Sequence, residues 1–153
     1  MGEVIYAPLR KNYHNKRNEN CPFCNFKNKK LLVYEGNTAY IVANKFPYSY
    51  GHLLVIPKRH ITDIVDLNKD EDKDMMLLMK RSVKFLEKAI KCKGFNIGLN
   101  QGEYSSHSQD HLHFHVVPRY ENDTGFMQIT AKTSIAAENP EELVKKLKRS
   151  NQL

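Results

Sequence analysis

The chain has 153 residues, one domain's worth of protein and too few for two ordinary catalytic domains. With 41% hydrophobic and 27% charged residues it reads as a water-soluble fold, and no run nears the roughly 18 to 20 apolar residues that a membrane span needs. Lys and Arg number 24 against 17 Asp and Glu, and the net +7 favours anionic partners without choosing among RNA, nucleotides and acidic surfaces.

The opening MGEVIYAPLRKNYH lacks a basic stretch leading into an apolar one, so no secretory signal is expected and a cytoplasmic location is. Residues 1–30 read as a basic polar arm, broken by Pro8 and Pro22 and carrying CPFC at 21–24. Residues 31–130 form the expected core and 131–153 a C-terminal extension of the same domain. Within the core, LLVYEGNTAYIVAN predicts two strands around Glu35, Gly36 and Asn37, a hairpin. KFPYSYG is a turn-rich link to a strand over 52–57 that ends at Pro57.

A long helix follows. Asn68 is placed to cap it and Glu71 occupies the third helical position of a capping box. Met76, Met79, Val83, Leu86 and Ile90 recur at three- and four-residue spacings as a sheet-facing stripe, with Gly94 as the stop. Strands are predicted over 95–100 and 111–118. Near the end, Asn139, Pro140 and Glu142 take the cap, first and third positions of a short helix carrying Leu143, Val144 and Leu147. The sum is an α+β domain on a mainly antiparallel sheet of about five strands.

Four of the seven histidines fall between 107 and 115, and His111, His113 and His115 alternate with apolar residues. On a strand, where the side-chain period is two, all three rings would share a face while Leu112, Phe114 and Val116 enter the core. Three imidazoles on one face imply metal binding or chemistry on an anion. Cys21 and Cys24 form a two-residue-spaced pair that suits zinc, redox chemistry or neither, and redox use is disfavoured because no strand precedes them. Two histidines would complete a tetrahedral structural zinc. Cys92, near the helix end, reads as a small buried hydrophobe.

HLHFHVV matches the signature of the histidine triad (HIT) superfamily of nucleotide hydrolases and transferases: three alternating histidines, then two apolar residues. NKFPYSYGHLLVIPKRH resembles that family's Asn-x-x-Pro-x-x-x-Gly-His segment, and GFNIGLNQG its strand and loop on the other side of the triad. IYAPLR, CPFC and PRYENDTGFMQI resemble the bacterial and archaeal branch that includes diadenosine tetraphosphate phosphorylases, with Leu9 and Tyr120 where that branch has Trp.

The resemblance implies a fold whose sheet extends across a homodimer. It also implies roles. His113 is the nucleophile, its tautomer fixed by the backbone carbonyl of His115, attacking an α-phosphate to give a nucleotidyl-histidine that water or inorganic phosphate resolves. His115 donates to a nonbridging phosphate oxygen, and His52 is auxiliary in the same pocket. Asn44 holds ribose hydroxyls, Asn100 contacts phosphate, and the loop Ser106, His107, Ser108 cups the remaining phosphates, although the family usually has Gly followed by Gln, Ala or Ser there. In members with the cysteine pair, zinc falls to Cys21, Cys24, His60 and His111.

The leading expectation is an enzyme acting on dinucleoside polyphosphates. Hydrolysis of adenosine 5′-phosphoramidate is an alternative. A nonenzymatic nucleotide- or RNA-binding module is a third reading, disfavoured because no aromatic RNA-binding strand or helix-turn-helix pattern is present.

Overall fold

The computed structural model describes residues 21–24, 26–102, 109–121 and 139–151. The predicted hairpin is formed by β1 (Leu32–Glu35) and β2 (Ala39–Ala43). β3 (Leu53–Pro57), helix α1 (Lys69–Ile90), β4 (Gly94–Leu99), β5 (Phe114–Arg119) and helix α2 (Pro140–Asn151) follow. The five strands make one antiparallel sheet in the order β1-β2-β3-β5-β4. No helix among the described residues is long and apolar enough to cross a membrane.

Alternation along the strands divides the sheet into two faces. Ala39, Ile41, Leu53, Val55 and Val116 point to one side, where they pack with Met75, Leu78 and Leu86 of α1 and with Leu143, Val144 and Leu147 of α2. Each large aliphatic group buried there stabilises the fold by about 1.5–3 kcal/mol relative to exposure. Tyr40, Val42, Leu54 and Ile56 point to the other side and are covered in part by Phe23 and Phe26. Among the described residues both α-helices thus lie on one face of the sheet.

Asn68 caps α1 as expected, its side chain accepting from the N–H groups of Asp70 and Glu71 while Glu71 reaches back to the Asn68 N–H. Met79, Val83, Leu86 and Ile90 of the expected stripe pack into the core, but the buried face is wider and shifted at its start: Met75, Leu78, Ser82 and Phe85 are buried too, whereas Met76 is 51% exposed. Asp74 explains the phase: buried in α1, it accepts from the Thr38 backbone N–H at 2.6 Å and hydroxyl at 3.0 Å, seating the hairpin turn on the helix. The helix ends at Lys91, in the left-handed conformation at φ 55°, so Gly94 opens β4 instead of stopping α1.

The strand expected over 111–118 starts late. Pairing between β3 and β5 stops at Val55 opposite Phe114, because Pro57 has no N–H to extend the ladder. His111, Leu112 and His113 precede the strand, and the Leu112 N–H bonds instead to the Ile61 carbonyl at 2.6 Å. α2 begins as predicted, with Asn139 accepting from Glu141 at 2.9 Å.

Candidate active site and metal centre

The turn before β3 is built around Gly51, whose φ of +87° is open to glycine and costly for other residues. A Cβ there would also lie 2.6 Å from the Ile90 side chain and 2.9 Å from that of Pro118. The chain therefore enters β3 pressed against α1 and β5, and delivers His52 to the face opposite α1 and α2. His52 is buried and held at several points. Its backbone N–H donates to the Ser49 carbonyl at 3.1 Å, and its carbonyl accepts from the Asn44 N–H at 3.0 Å.

The ring of His52 is oriented by donors that cannot reverse. The backbone N–H of Tyr48 donates to Nδ1 at 3.1 Å, and the Asn44 amide Nδ2 lies 3.2 Å from the same atom. With Nδ1 accepting, a neutral His52 carries its proton on Nε2 and donates it to Nδ1 of His115 at 2.9 Å. His115 in turn carries its own proton on Nε2. That atom is buried and has no hydrogen-bond partner among the described residues. The Tyr48 ring stacks on His115 with centroids 5.6 Å apart and planes 23° apart, and it also covers His52 at 4.8 Å.

His113 is 4% exposed and lies 4.9 Å, ring to ring, from His115. Its Nδ1–H donates to the backbone carbonyl of His111 at 2.7 Å. The carbonyl expected from the resemblance was that of His115, and the difference follows from local geometry: before β5 begins, the chain turns the His111 carbonyl toward the ring two residues on. In the neutral ring the lone pair falls on Nε2, the nitrogen that a nucleophilic imidazole needs. Burial, then the neighbouring imidazoles, lower the pKa of His52 to about 3 and of His115 to about 4, so both are neutral at pH 7.

A second cluster abuts the first. The ligand atoms of Cys21, Cys24, His60 and His111 all lie within 4.8 Å of one another. Nδ1 of His111 is 3.2 Å from the Cys21 sulfur and 3.6 Å from that of Cys24, and Nδ1 of His60 is 3.3 Å from Cys24. Zinc bond lengths with tetrahedral angles require sulfur–nitrogen separations of about 3.5 Å. The Nε2–H of buried His111 donates to the Pro57 carbonyl at 2.9 Å, which directs its Nδ1 lone pair at the cysteines. Burial, then the hydrogen bond and charge of Cys21, push the Cys24 thiol above its ordinary value, an effect that a cation beside the sulfurs reverses. These four residues can hold a metal ion, and with four protein ligands the centre would be closed and structural.

The structure brings His52, His113 and His115 together, with Asn44 beside them. The Asn44 side chain is engaged at both ends, its Oδ1 accepting from the Phe46 N–H at 3.0 Å and its Nδ2 on His52. Asn100 directly follows Leu99, the end of β4, which pairs with Phe114 at the start of β5. Ser106, His107 and Ser108 fall outside the described residues. Cys92 is buried in the main core, its thiol pushed up by that burial, as expected of a small hydrophobe.

Sequence reading passed over three residues. Phe23, inside the CPFC loop, packs edge-on against His111 and His113 with centroids 5.8 and 5.3 Å away. Tyr48 sets the His52 tautomer through its main chain. Gln101 accepts from the Ile64 N–H at 2.8 Å and fastens the end of β4 to the turn before α1. The i,i+4 spacing of Tyr48 and His52 across a glycine turn was the visible signal for the second; the other two carry none in one dimension.

Comparison with known proteins agrees with this geometry. Residues 25–122 match the HIT domain. The chain is 30% identical over 140 residues, 88% of this chain and 72% of the relative, to an AP-4-A phosphorylase of Mycobacterium tuberculosis. It is 29% identical over 115 residues, 70% of this chain and 67% of the relative, to an adenosine 5′-monophosphoramidase of Saccharomyces cerevisiae. Among solved structures, a zinc-bound histidine triad family protein from Mycobacterium smegmatis superposes with a TM-score of 0.65 at 27% identity, covering 78% of this chain and 82% of that one.

Proposed function

Because the chain belongs to the HIT family, we propose that it is a nucleotide hydrolase or nucleotidyltransferase acting at the α-phosphate of nucleoside 5′-phosphate derivatives, with dinucleoside polyphosphates as substrates. The observation that carries this reading is the directed series of donors from the Tyr48 N–H through His52 to the buried Nε2–H of His115, beside the ring of His113, whose Nδ1 is held by the His111 carbonyl. Such a site offers a lone pair and an N–H donor a few ångströms apart without proton rearrangement, as phosphoryl attack and charge stabilisation require.

In the proposed reaction the Nε2 lone pair of His113 forms a bond to phosphorus as the phosphorus–leaving-group bond breaks, and the departing group takes the electron pair. His115 donates to a nonbridging oxygen as its charge grows. The second step reverses the roles: an oxygen of water or inorganic phosphate attacks phosphorus, the P–N bond breaks, and the pair returns to His113. Asn44 contributes by holding His52, and Asn100, Ser106, His107 and Ser108 are the proposed contacts to ribose and phosphates with it. The similarity to an AP-4-A phosphorylase supports dinucleoside polyphosphates. Adenosine phosphoramidate is the second reading, supported by the similarity to a monophosphoramidase.

Cys21, Cys24, His60 and His111 would hold zinc, a reading supported by the zinc-bound relative as well as the donor geometry. Bound there, the ion would cross-link the arm to the segment after β3. We also propose a homodimer through the free edge of β4, where Ile97 is 49% exposed and no strand pairs among the described residues.

The deciding experiment measures products from diadenosine polyphosphates and adenosine phosphoramidate, with and without inorganic phosphate, for the wild type and His113→Ala. Turnover abolished in the variant, with an acid-labile nucleotidyl adduct trapped only on wild type, is expected. The two steps should give net retention at phosphorus. Inversion, or undiminished activity of His113→Ala, would end the covalent reading, and nucleotide binding without turnover of any such substrate would favour the binding module.

A further inference from the structure

We infer that Phe23 is a positioning residue for His113, and that the cysteines on either side of it are what hold it in place. The inference rests on the proposed role of His113 as nucleophile, but its physical content does not. The Nδ1–H···O bond from His113 to His111, with the Cβ stem, holds one edge of the imidazole, and the His115 ring meets it edge-on at 4.9 Å with planes 66° apart. Phe23 supports it as well, meeting His113 at 5.3 Å with planes 63° apart and His111 at 5.8 Å and 83°. Both are edge-to-face arrangements, in which small rotations lose the quadrupolar attraction. The other side of the Phe23 ring packs against the minor core of Tyr40, Val42, Leu54 and Ile56, so it is a wedge between the sheet and the imidazoles.

What keeps the wedge seated is the cysteine pair that brackets it. Cys21 and Cys24 flank Phe23 in sequence, and their sulfurs lie 3.2 and 3.6 Å from Nδ1 of His111. Ligation of both sulfurs with His60 and His111 would leave the two residues between them, Pro22 and Phe23, almost no freedom. His111 meanwhile supplies the carbonyl that holds His113, so two separate routes run from the cysteine cluster to one ring. A metal ion in the cluster would thus govern the attitude of His113 while taking no part in bond making.

The test begins with the substrate-free, zinc-loaded protein. In wild type, the His113 Nδ1–H should give a sharp, slowly exchanging signal in ¹⁵N-edited NMR spectra. Phe23→Ala should raise its exchange with solvent at least about tenfold and lower kcat about tenfold on substrates with and without a nucleobase, with little change in KM and one metal per chain retained. Phe23→Tyr should restore both, and chelation of zinc should reproduce the exchange defect. If Phe23→Ala unfolds, Phe23→Leu, which keeps volume and loses the flat edge, should show the same defect. An unchanged His113 signal in the folded variant would overturn the inference. So would a KM increase confined to base-bearing substrates, which would make Phe23 a nucleobase contact, and an unchanged signal after chelation would overturn the part assigned to the cysteines. Because the NMR readout needs no turnover, it stands even if the reaction proposed for His113 fails.

Discussion

Nε2 of His52 lies 2.9 Å from Nδ1 of His115, and the backbone N–H of Tyr48 donates to the far side of the His52 ring. A peptide N–H cannot accept, so main-chain geometry decides which nitrogen of each imidazole carries the proton. The donors of His52 and His115 are thus set by the fold itself, the preorganisation that the proposed reaction needs.

Removing the last member of that series should therefore be costly. His115→Ala is expected to lower kcat by about 10²- to 10³-fold, the usual loss of an oriented donor to a developing oxyanion. His52→Ala should cost less, since His115 survives with its tautomer no longer enforced. Steady-state kinetics on a dinucleoside polyphosphate decides the matter; equal kcat in His115→Ala and wild type would contradict the assigned donor.

Acid should destabilise the protein through the same residues. Burial puts the folded pKa of His52 at about 3 and of His115 at about 4, both below the ordinary histidine value of about 6.5 in an unfolded chain. Above that value both states are neutral and nothing is lost. As the pH falls below it, the unfolded chain binds protons first and stability drops by roughly 1.4 kcal/mol per pH unit for each imidazole. Urea midpoints at pH 7.5, 6.5 and 5.5 should decline in that order, and His52→Gln with His115→Gln should flatten the decline while leaving the four proposed metal ligands in place.

Much of this was readable in one dimension, for reasons that differ by element. Capping at Asn68 and Asn139 is local chemistry, and both helices begin where those side chains put them. The triad and the cysteine pair announced themselves by spacing. The first turns of the α1 stripe did not, because the run MMLLM offers apolar residues to either side and the buried face also takes Asp74 and Ser82, whose polar groups are satisfied by Thr38 and by the Leu78 carbonyl. Hydrophobic counting rejects such residues; only the tertiary partner readmits them. The wedge of Phe23 was equally hidden, since it joins segments that Cys21 and His111 bring together across 90 positions.

Metal analysis of untagged protein should find about one zinc per chain. Cys21→Ser should lose metal and melting temperature together, by about 2–4 °C for each kcal/mol of stability removed, while His113→Ala retains the ion. Full occupancy after both cysteines are replaced would remove them from the ligand set.

Gly51→Ala should be among the more damaging single-methyl additions. The left-handed backbone and the 2.6 Å approach to Ile90 both oppose a Cβ, so a loss of roughly 1–3 kcal/mol is expected, with a fall in kcat as His52 shifts. Thermal melts and kinetics on one preparation test both halves.

Sedimentation at micromolar concentration should show a dimer, and Ile97→Lys on the open edge of β4 should shift it to monomer. A wild-type monomer at that concentration would remove the proposed assembly.

Both helices of the described chain stand on one side of the sheet, and Phe23 and Phe26, at and next to the cysteine pair, cover the apolar side chains on the other. In most two-layer folds that covering is a helix, which holds itself together. Here it is a short loop whose attachment runs through sulfur and imidazole. If the cysteine cluster holds zinc as proposed, removing the ion should bare a strip of Tyr40, Val42, Leu54 and Ile56 on an otherwise folded body, a surface that binds hydrophobic dyes and other copies of itself. Metal supply would in that way set how much of the protein stays in solution.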